Sequence, residues 1–378
     1  MKVLIGNSHA YTVAIQIGSQ HYARCFQKIG YDVMYLAHPI SPLHKYFSKA
    51  YGTDERFRIM KSGGETIGRI FHYVPYTYLP HHKVPILSMK FFLNNWHKFT
   101  NPNLAKLIKD KGFGKVDILW IDNPLYEFLT REIDYKHSVL RITDNHRGFT
   151  HTTRAMHDKM IELAKKVDLI IYTAKDLVDI YGISPTIRSK MLYVPNGVDL
   201  SLFENIECQE PEELRCIPEP RVIYVGTINY WFDEDLVFYC AKNLPNHSFV
   251  IIGPPERRLE KLKNLKNVYL LGAKPNSRTP CFLKHSQIGI IPFDVNNYGE
   301  LIRTVNPVKL YEYLAAGLKV VSVRWKELEN FEKYIFLCKT KEEFLEAIKT
   351  PRNDKEKLDL TQYTWEYNLK RVLEILGK

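Results

Sequence analysis

Short apolar runs recur along this chain, and the stretches between them are amphipathic with a helical period. Lys2–Gly6, Asp32–Ala37, Val116–Ile121, Ser138–Thr143, Asp168–Thr173 and Met191–Val194 read as strands, with Gln20–Lys28, Leu104–Lys111 and Ala155–Lys166 as helices between them. Strands that alternate with helices are joined by crossovers, and crossovers give a parallel sheet covered on both faces. The pattern passes "PNGVD" (195–199), enters an acidic, Pro-containing stretch, Glu204–Pro220, and then restarts. Arg221–Gly226, Ser248–Gly253, Asn267–Gly272, Gln287–Phe293 and Leu318–Val323 form a second set of strands, with helices near 233–243 and 307–316. The closing segment, "TWEYNLKRVLEILGK", places Trp365, Leu369, Val372 and Leu376 on one side of a final helix. The expected fold is α/β, with two facing, doubly wound Rossmann-like domains. Their expected extents are 1–200 and 221–360, joined by a linker at 201–220, with the helix 361–378 returning to the first. Ligands in such sheets bind outside the strand carboxyl ends, so a cleft between the two domains is expected to hold the chemistry.

The composition, 45% hydrophobic and 25% charged over 378 residues, suits a globular protein of two ordinary domains. No apolar run approaches the roughly 18 residues of a membrane span, and Met1–Ala10 lacks a signal-peptide layout. Cys25, Cys208, Cys216, Cys240, Cys281 and Cys338 show no metal-ligand spacing, so reduced thiols in a cytoplasmic protein are expected. The net charge of +11 is concentrated, because residues 1–100 hold 12 Lys+Arg against 4 Asp+Glu. An anionic partner of the first domain follows. Nucleic acid is not the expected one, since no finger, RNP-type or basic-helix signature is present. Residues 71–99 mix aromatic side chains with Lys and His and almost no acid, the character of a lipid–water boundary. The expectation is a peripheral position on the inner face of the cell membrane; the plainer alternative is a packed helix pair.

Chemistry concentrates in two places. In "VNPVKLYEYLAAGLKVVS" (305–322), Asn306 is a candidate N-cap, Pro307 a first helical residue and Gly317 a helix stop. A helix starting there would offer free N–H groups and its positive dipole end to an anion, without a metal. Lys309 in the first turn would reach a diphosphate, and Glu312, one turn on, ribose hydroxyls. Gly226, with Thr227 after it, Gly253 and Gly272 end successive strands where backbone can approach a ligand, and Arg303 could clamp a phosphate. The structural alternative is a capped surface helix with Lys309 and Glu312 paired to each other. The second place is "LRITDNHRGFTHTT" (140–153), where a strand ends among Asp144, His146, Arg147 and His151. A cluster of titratable groups at a strand exit is the expected mark of proton transfer, so Asp144 is the candidate general base. Its structural alternative is a turn or cap residue. His21 is the second candidate, and His146 and Arg147 are read as binding an acidic acceptor group. "WFDEDL" offers Asp233-x-Asp235, but at a helix start such acids cap and complement the dipole, so no metal site is assigned.

The segments "VPNGVDLSLF", "FVIIGPPE", "NVYLLGAKP" and "PVKLYEYLAAGLKVVS", in this order, resemble the donor half of GT-B glycosyltransferases. The nearest resemblance is to bacterial teichuronic-acid-type transferases and the xanthan glucuronosyltransferase; "SQHYARCFQKIGYDVMYLAHPISPLH" is similar to the opening of that group. The resemblance implies an acceptor domain followed by a nucleotide-sugar domain, with a C-terminal helix crossing back. It implies Lys309 at the donor diphosphate, Glu312 at the ribose, and Gly272, Ala273 and Lys274 by the base, with a UDP-linked donor. It also matches Asp144 to a catalytic aspartate in an "R-x-x-D" strand end. Thr304 stands where many retaining members carry a glutamate, which implies inversion, and Ala273 replaces an acidic residue of the xanthan enzyme. The function expected is transfer of a sugar from a nucleotide to a cell-envelope polysaccharide or lipid-linked glycan, with no cofactor. A nucleotide-sugar 2-epimerase on the same fold and a non-catalytic glycan-binding protein are the alternatives.

Overall fold

Parallel pairing dominates both sheets of the protein. The computed structural model describes residues 1–13, 16–44, 52–80, 86–145, 153–204, 208–350 and 355–377. Contacts divide the chain into one unit of Met1–Pro195 with Leu369–Lys378 and a second of Asn196–Asn368.

The first unit carries β1 (Lys2–Gly6), β2 (Asp32–Leu36), β3 (Glu65–Ile67), β4 (Ile70–Tyr73), β5 (Lys115–Ile121), β6 (Asp134–Ile142), β7 (Leu169–Tyr172) and β8 (Met191–Tyr193). They lie in the order β3-β4-β2-β1-β5-β6-β7-β8, and every pairing is parallel except β3 with β4. The order reverses between β1 and β5, which makes that pair the switch point of the sheet. Its helices are α1 (Gly18–Lys28), α2 (Thr53–Ser62), α3 (Lys90–Asn95), α4 (Leu104–Asp110), α5 (Leu129–Glu132), α6 (Arg154–Lys166), α7 (Leu177–Tyr181) and α8 (Pro185–Arg188). The Asn103 side chain accepts Lys106 N–H at 2.9 Å to start α4, and Thr153 accepts Met156 N–H at 3.3 Å to start α6. Among its described residues the stretch 71–99 contains most of β4, α3 and a 3₁₀ turn at Trp96–Phe99, and not a pair of helices.

The second unit carries β9 (Arg221–Val225), β10 (Ser248–Ile252), β11 (Val268–Gly272), β12 (Ile288–Ile291), β13 (Lys319–Val323) and β14 (Phe336–Cys338), ordered β11-β10-β9-β12-β13-β14 and all parallel. Here the switch point falls between β9 and β12. The helices are α9 (Glu234–Asn243), α10 (Thr279–Lys284), α11 (Val295–Ile302), α12 (Val308–Ala315), α13 (Lys341–Lys349) and α14 (Trp365–Ile375). β10 and β13 are buried along their whole length, as strands covered on two faces must be. Trp365, Leu369 and Val372 of α14 are buried as well, each contributing about 1.5–3 kcal/mol. The residues of α14 divide between the two units, Trp365–Asn368 with the second and the remainder with the first.

One expectation about cysteine fails. Cys208 and Cys281 form a disulfide, with Cα atoms 5.2 Å apart. Their separation of 73 residues gave no pairing signal, because the fold alone brings α10 against the segment that precedes β9. Cys25, Cys240 and Cys338 are buried and take no part in the disulfide, and Cys216 is exposed.

The helix that follows the Asp144 segment is anchored by a buried charge cluster. Glu127, in the turn Pro124–Phe128, accepts Lys159 of α6 at 3.0 Å and is also bonded by Arg131 and Lys166. Burial raises the Glu127 carboxyl, but bonds from Lys166, Arg131 and Lys159 overcome it and hold its pKa at about 2. Lys159 is itself buried, so neutralising its partner strands a charge. Glu127→Gln is expected to destabilise the first unit by about 3 kcal/mol in urea denaturation. The depressed carboxyl contributes stability in full above roughly pH 4.3 and loses it as pH falls toward about 2. The variant should therefore lack that part of the acid-induced loss; a variant as stable and as acid-sensitive as wild type would contradict the assignment.

Candidate active site

The sequence-nominated groups of the second unit gather at its switch point. β9 ends at Val225 and β12 at Ile291, and Lys309, in the first turn of α12, lies against both exits. Its Nζ donates to the Tyr224 hydroxyl at 3.3 Å, stands 4.3 Å from the centre of the Tyr224 ring and 4.8 Å from that of Phe293. Tyr224 in turn donates to the Thr227 carbonyl at 2.9 Å. Two aromatic faces thus seat the ammonium. Gly226 makes the space: at its φ of +150° an added Cβ would lie 2.8 Å from Lys309 Nζ and 3.2 Å from the Tyr224 oxygen. Gly253, at φ +155°, is required more sharply, since its Cβ would fall 1.8 Å from the Gly226 carbonyl oxygen. Gly226 N–H donates to Ile252 at 2.9 Å and Gly253 N–H to Gly272 at 3.0 Å, so the ends of β9, β10 and β11 form one bonded rim.

The electrostatics of this rim are unsettled in a useful way. Burial lowers Lys309 to about 7, with Glu312 opposing, and burial raises Glu312 to about 7, with Lys309 opposing. No ion pair within 4.0 Å joins them among the described residues, so the surface-pair alternative does not hold. Pro307 occupies the cap position of α12 in extended conformation, and no side chain caps the helix start. Uncapped N–H groups beside a desolvated ammonium have the chemistry of an anion site.

Asn306 corrects an expectation. It does not cap α12; its side chain is buried and engaged elsewhere. Its amide donates to Tyr311 Oη at 3.0 Å and to Glu327 Oε1 at 2.9 Å, while its oxygen accepts Asn196 N–H at 3.0 Å. Asn196 Nδ2 returns a bond to the Asn306 carbonyl at 2.6 Å. Asn306 therefore fixes where α12 begins. Lys274 is bonded to Glu213 at 3.0 Å and Arg303 to Glu300 at 3.0 Å, so both cations already face carboxylates; Ala273 is exposed. Thr304 is buried and donates to Leu301 at 2.7 Å. Asp233 caps α9 by accepting Leu236 N–H at 2.8 Å, and Asp235 pairs with Lys261. Among the described residues no group of three His, Cys, Asp or Glu side chains could hold a metal ion.

In the first unit, Asp144 follows β6 and is partly buried. Burial pushes its carboxyl above the ordinary range, against a 2.6 Å bond from the Thr143 hydroxyl and the charge of Arg141. Tyr181 donates to the Asp144 carbonyl at 3.3 Å and Thr173 to that of Thr143 at 2.9 Å, which fixes the turn. Arg141 lies buried 3.3 Å from Asp122, at the exit of β5 beside the switch point. Asp122 also accepts Trp120 Nε1 at 2.7 Å and the Ser19 hydroxyl. His21 is buried, its Nδ1 2.7 Å from Arg24, and burial together with Arg24, Arg141 and Lys28 holds its pKa well below 6.5. Such an imidazole is a weak proton acceptor. His146, Arg147 and His151 lie outside the described residues.

No family model matches the chain. Over 156 residues it is 27% identical to TuaH of Bacillus subtilis (strain 168), provisionally named a teichuronic acid biosynthesis glycosyltransferase. That match spans 39% of this chain and 38% of the relative. Similarity to solved structures covers the whole chain at low identity. Sucrose-phosphate synthase from Thermosynechococcus elongatus superposes with a TM-score of 0.69 at 12% identity, covering 100% of this chain and 98% of that one. HepE from Anabaena in complex with UDP gives 0.63 at 12% identity with both chains covered completely. The chain has the GT-B fold, two Rossmann-like domains with parallel sheets flanked by helices.

Sequence reasoning missed the groups that position the nominated ones. Tyr224 sits inside the apolar run of β9 and carries the signature of a core residue; Phe293 closes a strand; Glu327 is one of two acids in "WKELENF". Only the switch-point placement of their neighbours could have singled out the first two. Gly226→Ala is expected to destabilise the second unit by about 1–3 kcal/mol, through the strained φ and the displaced ammonium. Urea denaturation indistinguishable from wild type would show that the Lys309 seat does not need this glycine.

Proposed function

We propose that this protein is a glycosyltransferase that moves a sugar from a UDP-linked donor to a cell-envelope polysaccharide or lipid-linked glycan. The observation that carries the reading is Lys309: a desolvated ammonium at the sheet's switch point, beside an uncapped helix start and without an ion-pair partner among the described residues. A departing nucleoside diphosphate supplies the missing negative charge. Glu312, three residues on, is assigned to ribose hydroxyls, and the rim of Gly226, Thr227, Gly253 and Gly272 to close backbone approach. Ala273 and Lys274 are assigned to the base and Arg303 to a second phosphate contact, the two cations exchanging Glu213 and Glu300 for donor. Asn306 acts by holding the helix start in place.

Inversion at the anomeric carbon is part of the proposal, supported by Thr304 at the place where many retaining members carry a glutamate and by the raised Asp144 carboxyl. The acceptor oxygen attacks the anomeric carbon as the bond to the diphosphate breaks, and its proton passes to Asp144. A carboxyl raised by burial is a better proton acceptor than an exposed one. His21, held neutral with a low pKa, is assigned to orienting the acceptor. His146 and Arg147 are assigned to an acidic acceptor group such as a lipid-linked diphosphate. Work at the inner membrane surface is supported by the concentrated positive charge of residues 1–100.

Incubating the protein with a panel of UDP-sugars and lipid-linked acceptors should yield UDP together with a glycosylated lipid of inverted configuration. Asp144→Asn should lower kcat by at least about 100-fold with little change in donor KM. Loss of less than about tenfold would remove Asp144 from the base role, and an epimerised nucleotide sugar formed without acceptor would replace transfer by isomerisation.

A further inference from the structure

The chemistry above leaves one face of the first unit unused. Twelve large apolar side chains are exposed among the described residues, and five of them, Tyr78, Leu79, Ile86, Met89 and Phe91, fall within a single stretch of chain. That concentration is unlike the single scattered residues of an ordinary surface. Contacts join the stretch to the residues after it. Tyr78 N–H donates to the Phe99 carbonyl at 3.0 Å, the Asn101 amide donates to the Tyr78 hydroxyl at 3.1 Å, and the Phe91 and Phe99 ring centres lie 6.5 Å apart. The exposed rings are not displaced core. α3 and the turn after it have a separate inner side, with Leu93 and Trp96 buried.

The charge beside this apolar patch has one sign. From 86 to 111 the chain carries Lys90, Lys98, Lys106, Lys109 and Lys111 against the single acid Asp110. Lys106 and Lys109, three residues apart, share the exposed face of α4, while Leu104 and Ile108 are buried on its other side. Lys90 stands 3.9 Å from Asp158, and no ion pair among the described residues involves Lys98, Lys106 or Lys109. A cleft of about 400 Å³ nearby is lined by Lys98, Lys106 and Lys109 but also by Asp110 and Glu132. Its mixed signs assign it no ligand.

We propose that this face docks on an anionic phospholipid leaflet, with Tyr78, Met89 and Phe91 entering the acyl boundary and Lys98, Lys106 and Lys109 over the phosphate layer. The proposal rests on the membrane-surface reading given above and places it on named side chains. A leaflet offers an apolar depth and a sheet of negative charge together, which is what exposed aromatic side chains flanked by unpaired lysines match. A small soluble phosphate would satisfy the lysines and leave the apolar residues in water.

The test is sedimentation of the full chain with phosphatidylglycerol vesicles or phosphatidylcholine vesicles, at low salt and at 0.5 M salt. Wild type should bind the first vesicles, bind the second at least tenfold more weakly, and lose affinity in salt. Met89→Ser with Phe91→Ser, and separately Lys98→Glu with Lys106→Glu, should each weaken binding at least tenfold. The melting temperature and the affinity for UDP should stay at wild-type values, since all four side chains are exposed and outside the donor site. Absence of wild-type binding to phosphatidylglycerol would remove the membrane reading itself. Wild-type binding that both double variants retain would leave that reading standing and overturn this face. Excess inorganic phosphate abolishing binding, with the serine variants unaffected, would assign the lysines to a soluble anion instead.

Discussion

Parallel pairing of β9 with both β10 and β12 brings three strand exits to one edge, and the position of every donor-side group follows from it. Strands in this arrangement cannot be linked by hairpins, so helices must cross between them, and the crossings reverse direction at β9 and β12. In open sheets of this kind such a reversal is where ligands bind, outside the strand carboxyl ends. Into that place the start of α12 delivers Lys309, and the rings of Tyr224 and Phe293 receive it. Burial costs the ammonium much of its hydration, and the aromatic faces return only part of it. The charge is therefore available to a ligand rather than spent on a salt bridge.

The first unit obeys the same constraint with a different outcome. Its reversal lies between β1 and β5, and the exits of β5 and β6 hold an aspartate each, Asp122 and Asp144. Arg141 decides between them. It pairs with Asp122 in a buried site further bonded by Trp120 and Ser19, which gives that carboxylate a structural task. Among the described residues the Asp144 side chain accepts one hydrogen bond, from the Thr143 hydroxyl, and burial raises its carboxyl as it raises that of Asp122. The two aspartates, at the exits of adjacent strands, thus differ in their partners: Asp122 is held by Arg141, Trp120 and Ser19, and Asp144 by Thr143.

Much of this was legible in the sequence, for a physical reason. Strands buried on two faces must be continuous apolar runs, so β1, β2, β5, β9, β10 and β13 stood out, and Gly226 and Gly253 marked the exits of β9 and β10. β3, β4 and β14 lie toward the sheet edges and are short, so their composition gave little signal. Lys309 and Glu312 were visible because helix spacing places them on one side of a helix start. What could not be read was everything that depends on distant partners. Asn306 looks like a helix cap until Asn196, 110 residues earlier, and Glu327 claim its side chain. The Cys208–Cys281 bond and the lysine cluster around Glu127 are of the same kind, since spacing along the chain carries no trace of them.

The central claim is that the start of α12, with Lys309, receives a diphosphate. Calorimetric titration of UDP and of uridine into wild type and Lys309→Ala at pH 7 tests it most directly. The account predicts that UDP binds wild type at least about 100-fold more tightly than uridine does. It also predicts that Lys309→Ala weakens UDP by about ten- to 100-fold, the worth of a charged hydrogen bond, while leaving uridine unchanged. Equal affinity for UDP and uridine, or UDP binding indifferent to the loss of Lys309, would contradict it.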